Sequence, residues 1–191
     1  IIGSQDVTSH LYGGAAGLDY RLTADTIVGF ALGGAGTAFQ LAGGLGSGRS
    51  DVFQAGFYGR HQSGANYVAA ALAYGWQDVT VDRNVFGNQY RSKFDANSAS
   101  GRLEAGHRIA WATSGVTPYA AGQFTTLFLP SYAERVVAGV NTFALAYGEK
   151  DVTAARSELG LRADTSFALT DSVMTLRGRA ALAHNFNTER S

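Results

Sequence analysis

The side chains with the greatest chemical potential in this sequence are four histidines and two glutamates that stand among arginines. The histidines are His10, His61, His107 and His184. Histidine acts as a general base and binds zinc, but no two of the four have the close spacing of a zinc motif. Glu104 and Glu158 each follow an arginine by two residues. Because a nearby cation favours the ionised carboxylate, neither is suited to act as an acid. We therefore predict no catalytic residue and no metal site.

Two glycine-rich segments, residues 33–36 and 43–48, resemble phosphate-binding loops only superficially, because no Lys-Ser or Lys-Thr pair and no helical pattern follows them. We expect no cofactor. The formal net charge of the 191 residues is zero, and the basic residues are spread along the chain, which argues against a nucleic-acid partner. The sequence contains no cysteine, so a disulfide scaffold and a thiol nucleophile are excluded.

Charged and apolar residues alternate over long segments of the chain. Residues 102–111 read Arg-Leu-Glu-Ala-Gly-His-Arg-Ile-Ala-Trp, and residues 156–167 repeat the pattern. Since successive side chains of a β-strand point to opposite faces, both segments are predicted to be strands with one ionic and one apolar face. Aromatic residues near the ends of the apolar face, and glycines on the ionic face, favour a transmembrane β-barrel with a wet interior.

Alternation and turn residues together define the elements that would position these side chains. They predict eight strands, at about residues 9–21, 26–40, 51–62, 66–80, 91–112, 117–128, 143–168 and 173–186. Tight turns are predicted at residues 23–25, 63–65, 113–115 and 170–172, and longer links at 42–50, 81–90 and 129–142. Outer-membrane barrels have short periplasmic turns and long external loops, so the tight turns are predicted to be periplasmic. The first strand would then start outside and the last would end outside. Single-chain bacterial barrels usually begin and end in the periplasm with an even number of strands, so we expect at least one strand to be missing at each end.

The parity of each strand assigns its side chains to one of two faces. The face expected to meet lipid carries Tyr12, Ala16, Leu18, Tyr20, Val28, Phe30, Leu32, Phe53, Ala55, Phe57, Val68, Leu72, Tyr74, Trp76, Leu103, Ile109, Trp111, Phe124, Phe128, Leu159, Leu161, Phe167, Met174, Leu176, Leu182 and Phe186. The face expected to line the pore carries Asp19, Arg21, Gln54, Arg60, Gln77, Arg102, Glu104, Arg108, Gln123, Arg156, Glu158, Arg162, Asp164, Arg177 and Arg179. The four histidines fall on the apolar parity and are interpreted as interfacial. An arginine or lysine at the lipid midplane costs about 2–4 kcal/mol, so the near absence of mid-strand charge from the apolar face supports this assignment.

Six segments, in this order and spacing, resemble the β-barrel translocator domain of autotransporters, the type V secreted proteins of Gram-negative bacteria. They are residues 11–21 (LYGGAAGLDYR), 57–59 (FYG), 71–75 (ALAYG), 103–108 (LEAGHR), 117–120 (TPYA) and 157–162 (SELGLR). The resemblance implies an all-β, antiparallel up-and-down transmembrane β-barrel of about twelve strands, of which about eight are present. Residues 1–191 would then form a partial barrel domain that lacks the lumen helix, the first strand and the closing strands.

The resemblance also implies a function and a set of partners. The barrel would lie in the outer membrane of a Gram-negative bacterium and export or anchor an N-terminal passenger through its pore. Its partners would be outer-membrane lipid, its own passenger and lumen helix, and the barrel-assembly machinery; it would not be an enzyme. Some relatives cleave the helix inside the pore, but the cleavage site lies in the helix and corresponds to no residue of this sequence.

Two alternatives remain open from the sequence. An outer-membrane barrel enzyme, of the phospholipase or protease type, would need a histidine beside a serine or aspartate at the outer rim. A diffusion porin would need a loop folded inward to constrict the pore. The link at residues 129–142 is long enough for such a loop, but Val136, Val137 and Val140 give it no ionic constriction.

Overall fold

The computed structural model describes residues 7–186 as one antiparallel sheet of long strands. The long strands are β1 (Val7–Thr23), β2 (Thr26–Leu41), β3 (Gly46–Ser63), β4 (Asn66–Val85), β5 (Asn88–His107), β7 (Ser114–Leu129), β11 (Lys150–Ala168) and β12 (Val173–Asn185). Shorter elements are β6 (Ile109–Trp111), β8 (Tyr132–Ala133), β9 (Arg135–Ala138), β10 (Ala146–Tyr147) and the 3-10 turns Ala42–Gly44 and Asn141–Phe143. The eight long strands pair in chain order, which confirms the predicted up-and-down antiparallel fold.

Smaller strands extend this sheet at its two ends. β6 pairs with β7 next to a tight turn, β9 pairs with β5 beyond the end of β7, and β8 and β10 form a separate two-stranded sheet. Within the described part of the chain, no helix is both long and apolar enough to cross a membrane.

The tight turns lie where the sequence predicts them, but the strands extend further at the opposite end of the sheet. Residues 81–90, predicted as a long link, form the ends of β4 and β5 around a two-residue turn at Phe86 and Gly87. Both turn residues have positive φ, of 48° and 79°, the combination that a type I′ hairpin requires. The predicted link at 42–50 likewise shortens, because β3 begins at Gly46.

The strand predicted from residue 143 begins only at Lys150. Residues 143–149 instead belong to a folded segment, residues 130–149, that contains β8, β9 and β10. A stack of three rings holds it: the ring of Tyr132 lies 4.0 Å from that of Phe94 on β5 and 4.7 Å from that of Tyr147. This aromatic packing, which alternation does not reveal, is why the prediction was wrong.

The two faces of the sheet differ in chemistry, as parity predicts. We call the face that carries Arg102 and Glu158 the inner face, and the opposite face the outer face. The large apolar side chains of the outer face are exposed; Phe57, for example, is 72% exposed and Leu182 is 83% exposed. From Asn66 to Trp76, the outer-face positions of β4 carry no charged residue, and their neighbours on β3 and β5 carry none either.

In segment 130–149, β9 pairs with β5, and other parts of the segment pack on the inner face of the β4–β5 hairpin, near the turn at Phe86 and Gly87. The hydroxyl of the fully buried Tyr90 donates to the backbone oxygen of Val140 at 2.7 Å. Arg83 Nε donates to Glu134 Oε1 at 2.7 Å, and the backbone N–H of Leu145 donates to Glu134 Oε2 at 3.0 Å. These contacts hold the segment at the end of the sheet that carries the Phe86–Gly87 turn, beyond the level of Trp76.

Acid should loosen this segment. Hydrogen bonding to Arg83 lowers the pKa of Glu134 below its ordinary value of 4.5, against the effect of burial, with further help from the backbone N–H of Leu145. A carboxyl with a lowered folded pKa adds stability that is present above its ordinary pKa and is lost as the pH falls through the lowered value. Glu134→Gln should mimic this loss at neutral pH and make proteolysis within residues 130–149 several-fold faster.

Glu149→Gln is the matched control, because Glu149 is an exposed residue of the same segment. Digestion of the folded protein with a broad-specificity protease, followed by mass mapping of the cuts, measures the effect. Equal cleavage rates for the two variants would show that the Arg83–Glu134 pair does not hold the segment.

Candidate pore-lining site

The inner face carries a network centred on two glutamates, Glu104 of β5 and Glu158 of β11. Strand β7 separates them, and the register places both directly opposite Ala121 of β7. The small alanine side chain leaves the space between the two carboxylates to longer groups from neighbouring strands. Both carboxylates are largely shielded, with side-chain exposures of 9% and 5%. A buried carboxylate must be paired or hydrogen-bonded, and both are.

Glu104 receives donors from three strands. Its Oε1 accepts from Tyr67 Oη at 2.8 Å and lies 2.7 Å from Arg162 Nη1. Its Oε2 accepts from Arg102 Nη2 at 2.8 Å and from Arg162 Nη2 at 3.0 Å. Such charge-assisted hydrogen bonds are shorter and stronger than neutral ones, so they tie β4, β5 and β11 together across the sheet.

Glu158 is the second centre and is surrounded by three arginines. Its Oε1 accepts from Tyr119 Oη at 2.7 Å and from Arg102 Nη2 at 3.3 Å, and Arg179 of β12 also donates to it. Its Oε2 accepts from Arg156 Nη2 at 3.4 Å. Arg102 therefore links the two centres, and the network extends from β4 to β12.

Two tyrosines complete the network, each lying flat over a glycine of the next strand. Tyr67 faces Gly106 in the register and Tyr119 faces Gly160, and a Cβ on either glycine would lie within 2.6 Å of the ring. Only glycine permits this approach. An arginine guanidinium covers each ring in turn: that of Arg60 lies 4.5 Å from the centre of the Tyr67 ring. That of Arg162 lies 4.2 Å from the centre of the Tyr119 ring, a cation–π distance.

The other side chains predicted to line the pore share the inner face, and most of them lie outside this network. Arg108 Nη2 donates to Asp164 Oδ2 at 2.8 Å, and Arg177 is the register partner of Asp164. Asp19 accepts from the hydroxyl of Tyr58, and Arg21 Nη1 donates to the backbone oxygen of Ala24 at 3.4 Å. The amides share the face too: Gln77 Nε2 donates to Ser50 Oγ, Gln123 accepts from Arg102, and Gln54 lies on the same parity.

Sequence reasoning missed the three inner tyrosines, Tyr58, Tyr67 and Tyr119. Their parity was a usable signal, because Tyr58 precedes Arg60 by two residues and Tyr67 alternates with the outer Val68. The assignment of aromatic residues to lipid hid it. On the inner face their hydroxyls donate to carboxylates, and arginines cover the rings of Tyr67 and Tyr119.

Arginines dominate a recess on the inner face near the tight turns. The recess has a volume of about 530 Å³ and is lined by Arg60, Arg108, Arg162, Arg177 and Arg179, with Asp164 as its carboxylate. Within the predicted pore-lining set, eight arginines face four carboxylates. The inner face therefore presents an excess of positive charge to whatever lies against it.

The histidines lie on the outer face, as parity predicts. His61 Nδ1 lies 2.9 Å from Thr26 Oγ1, and His107 Nδ1 lies 2.8 Å from Asn66 Oδ1. These partners are neutral side chains of adjacent strands. In the part of the chain that the structure describes, no group of three or more His, Cys, Asp or Glu is arranged to hold a metal ion.

Comparison with known proteins gives this geometry a context. Residues 2–191 match the family described as "Autotransporter beta-domain". The chain belongs to this family. An extracellular serine protease of Serratia marcescens is 30% identical to it over 179 residues. The match covers 92% of this chain but only 17% of that protein.

Solved autotransporter domains share the fold. The translocator domain of the autotransporter NalP from Neisseria meningitidis is 14% identical, with a TM-score of 0.80 over 96% of this chain and 63% of that chain. The β-domain of the Bordetella autotransporter BrkA is 20% identical, with a TM-score of 0.73 over 95% of this chain and 74% of that chain.

The family places this chain in the outer membrane of a Gram-negative bacterium, as a transport barrel. A protein of the outer membrane needs an apolar surface against lipid, and the outer face carries exposed apolar side chains such as Phe57 and Leu182. A closed ladder of strands is one of the two structures that satisfy every backbone group in hydrocarbon. The registered pairing of each strand with the next forms part of such a ladder over residues 7–186, which is open at β1 and at β12.

Proposed function

We propose that this chain is the translocator of an autotransporter, whose inner face lines the pore that exports or anchors an N-terminal passenger. The observation that carries the proposal is the buried Glu104 and Glu158 network on the face opposite the lipid. Ion pairs and exposed arginines are unfavourable in contact with hydrocarbon. They provide a polar wall for a passing or resident polypeptide.

The parent protein must also complete the barrel. Within residues 7–186, β1 pairs only with β2 and β12 only with β11. An open sheet edge in hydrocarbon leaves backbone N–H and C=O groups without hydrogen-bond partners. Each such group costs on the order of several kcal/mol. We expect further strands of the parent chain to pair with both edges and form a barrel of about twelve strands around a lumen helix. The tight turns would lie on the periplasmic side.

In this proposal the barrel contributes no catalytic group, and any enzymatic activity of the parent belongs to its passenger. The inner carboxylates support this view, because each is held by arginines as a fixed anion. A porin-like role has weaker support. Segment 130–149 packs on the inner face, but its contacts with Arg83, Tyr90 and Phe94 lie at the mouth and not at the depth of the network.

Obstructing the pore should slow export. Ala71 faces inward beside Arg102, and its neighbour Ala70 faces lipid. In the full-length parent, Ala71→Trp should reduce the rate at which the passenger becomes accessible to protease on intact cells by several-fold, because the indole occupies pore volume. Ala70→Trp, which adds the same ring on the lipid side, should leave the rate unchanged.

Both variants must first show the heat-modifiable gel mobility of a folded barrel at normal abundance. Equal export by the two variants, or export by a parent from which residues 1–191 have been deleted, would contradict the proposed function.

A further inference from the structure

The outer face changes character beyond the row formed by Phe53 and Trp76. Successive outer-face rows on β3, β4 and β5 read Asp51, Asp78 and Asp95, then Arg49, Thr80 and Lys93, then Ser47, Asp82 and Arg91. An aromatic row of this kind marks the boundary between hydrocarbon and headgroups. With the tight turns on the periplasmic side, as proposed above, these rows lie at the level of the outer-leaflet headgroups.

Cations predominate in the last two of these rows. Arg49 and Lys93 are exposed, and neither forms an ion pair with another residue of 7–186. Arg91 donates to Asp82 at 2.6 Å yet keeps 56% of its side chain exposed. Arg91 pairs in the register with Asp82 of β4 on one side and with Arg135 of β9 on the other. We call Arg49, Arg91, Lys93 and Arg135 the outer cationic patch.

The patch borders a recess and not a flat surface. A cavity of about 650 Å³ lies on this part of the sheet, lined among others by Thr8, His10, Arg49, Thr80, Arg91 and Lys93. Four of these side chains carry N–H donors and two carry hydroxyls. The carboxylate of Asp82 also lines the cavity and is paired with Arg91, which leaves Arg49 and Lys93 as cations without such a partner among residues 7–186. Such a concave, donor-rich lining is suited to the oxygens of a phosphate group.

The spacing of the rows indicates the size of the headgroup. Thr80 is four residues beyond Trp76, which is about 14 Å along the strand at about 3.4 Å per residue. A strand tilt of about 40° reduces this to roughly 10 Å along the membrane normal. A phosphate bound by Arg49 and Lys93 is therefore separated from the hydrocarbon by a spacer the size of a sugar.

The aspartate row fits the same ligand. Asp51, Asp78 and Asp95 lie between the aromatic row and the cations, where they would repel the phosphate of a simple phospholipid. Carboxylates accept hydrogen bonds from sugar hydroxyls. We propose that the outer cationic patch binds the phosphorylated sugar headgroup of an outer-leaflet glycolipid, with hydroxyls over the aspartates and phosphate over Arg49 and Lys93.

Native mass spectrometry of the full-length parent in detergent tests this proposal. The protein is titrated with lipopolysaccharide, with the same lipid after enzymatic dephosphorylation, and with inorganic phosphate. We expect tight binding of the first only. The double variant Arg49→Glu/Lys93→Glu should weaken lipopolysaccharide binding at least tenfold, and the charge-conserving Arg49→Lys/Lys93→Arg should not. If the charge-reversed protein fails to fold, Arg49→Gln/Lys93→Gln replaces it.

Equal binding of the dephosphorylated lipid would overturn the role of phosphate, and undiminished binding by the charge-reversed or neutral variant would overturn the site. If inorganic phosphate binds as tightly as the lipid, the site recognises free phosphate, and the proposal of a glycolipid ligand is overturned. Passenger export is measured in parallel with the same variants. Normal export with lost lipid binding supports the lipid site, whereas lost export in the tryptophan test above bears on the translocator function alone.

Discussion

Ala70→Arg should prevent most of the protein from assembling in the membrane. Ala70 lies near the middle of the uncharged outer-face stretch of β4, from Asn66 to Trp76, between Gly59 of β3 and Leu103 of β5, with Val68 and Leu72 on the same face. An arginine near the bilayer midplane costs about 2–4 kcal/mol on the lipid face of a barrel. That is a large share of the stability of an average domain. The fraction of heat-modifiable protein on cold gels, after folding into vesicles, measures the loss.

Ala71→Arg is the matched control, since it adds the same side chain one residue away on the opposite face. Its register partners are Tyr58 and Arg102, so the new cation meets polar surroundings. Repulsion from Arg102 costs less than about 1 kcal/mol, the usual upper size of a cross-strand pair effect. Equal folded fractions for the two variants would contradict the assignment of the faces.

Glu158→Gln should destabilise the folded barrel more than any other isosteric change on the inner face. The carboxylate is 5% exposed and lies among Arg102, Arg156 and Arg179. Glutamine keeps the shape but removes the charge, which leaves Arg156 and Arg179 without their carboxylate and Arg102 with Glu104 alone. Removing one partner of a buried ion pair typically costs about 3–5 kcal/mol. The urea midpoint of unfolding, followed by gel mobility, should fall accordingly.

Two further variants test whether charge is the cause. Glu149→Gln makes the same chemical change at an exposed position of segment 130–149 and should leave the midpoint unchanged. The double variant Glu158→Gln/Arg179→Gln removes a cation with the anion and should recover part of the lost stability. If the double variant is as unstable as the sum of its single changes, the network does not act as a unit.

Parity alone predicted the faces of this sheet, because the chemistry of lipid and water imposes a period of two on every strand. Arg102, Glu104, Glu158 and Arg162 are assigned to one face by counting, and the structure brings them into one network. Counting could not reveal which carboxylate each arginine binds. That depends on the register between β5, β7 and β11, which places both glutamates opposite Ala121.

The ends of the strands were predicted less well, for a physical reason. Beyond Trp76 the outer face becomes polar while the strands continue, so the alternation that marks a lipid-facing strand stops before the strand does. Residues 81–90 therefore resembled a loop, although Phe86 and Gly87 are the whole turn. Segment 130–149 escaped prediction because it is held by tertiary contacts, such as those of Arg83 and Tyr90, and not by a periodic pattern.

The central claim is that the outer face meets lipid and the inner face meets water, and spin labelling tests it most directly. Residues 1–191 contain no cysteine, so single cysteines can be introduced at positions 68–73 of β4 in a reconstituted parent from which any cysteine elsewhere has been replaced by serine. Labels at Val68, Ala70 and Leu72 should relax with oxygen and not with a water-soluble nickel chelate. Labels at the inner positions 69, 71 and 73 should show the reverse. A uniform response along the strand, or protection of both sets from both reagents, would contradict the account.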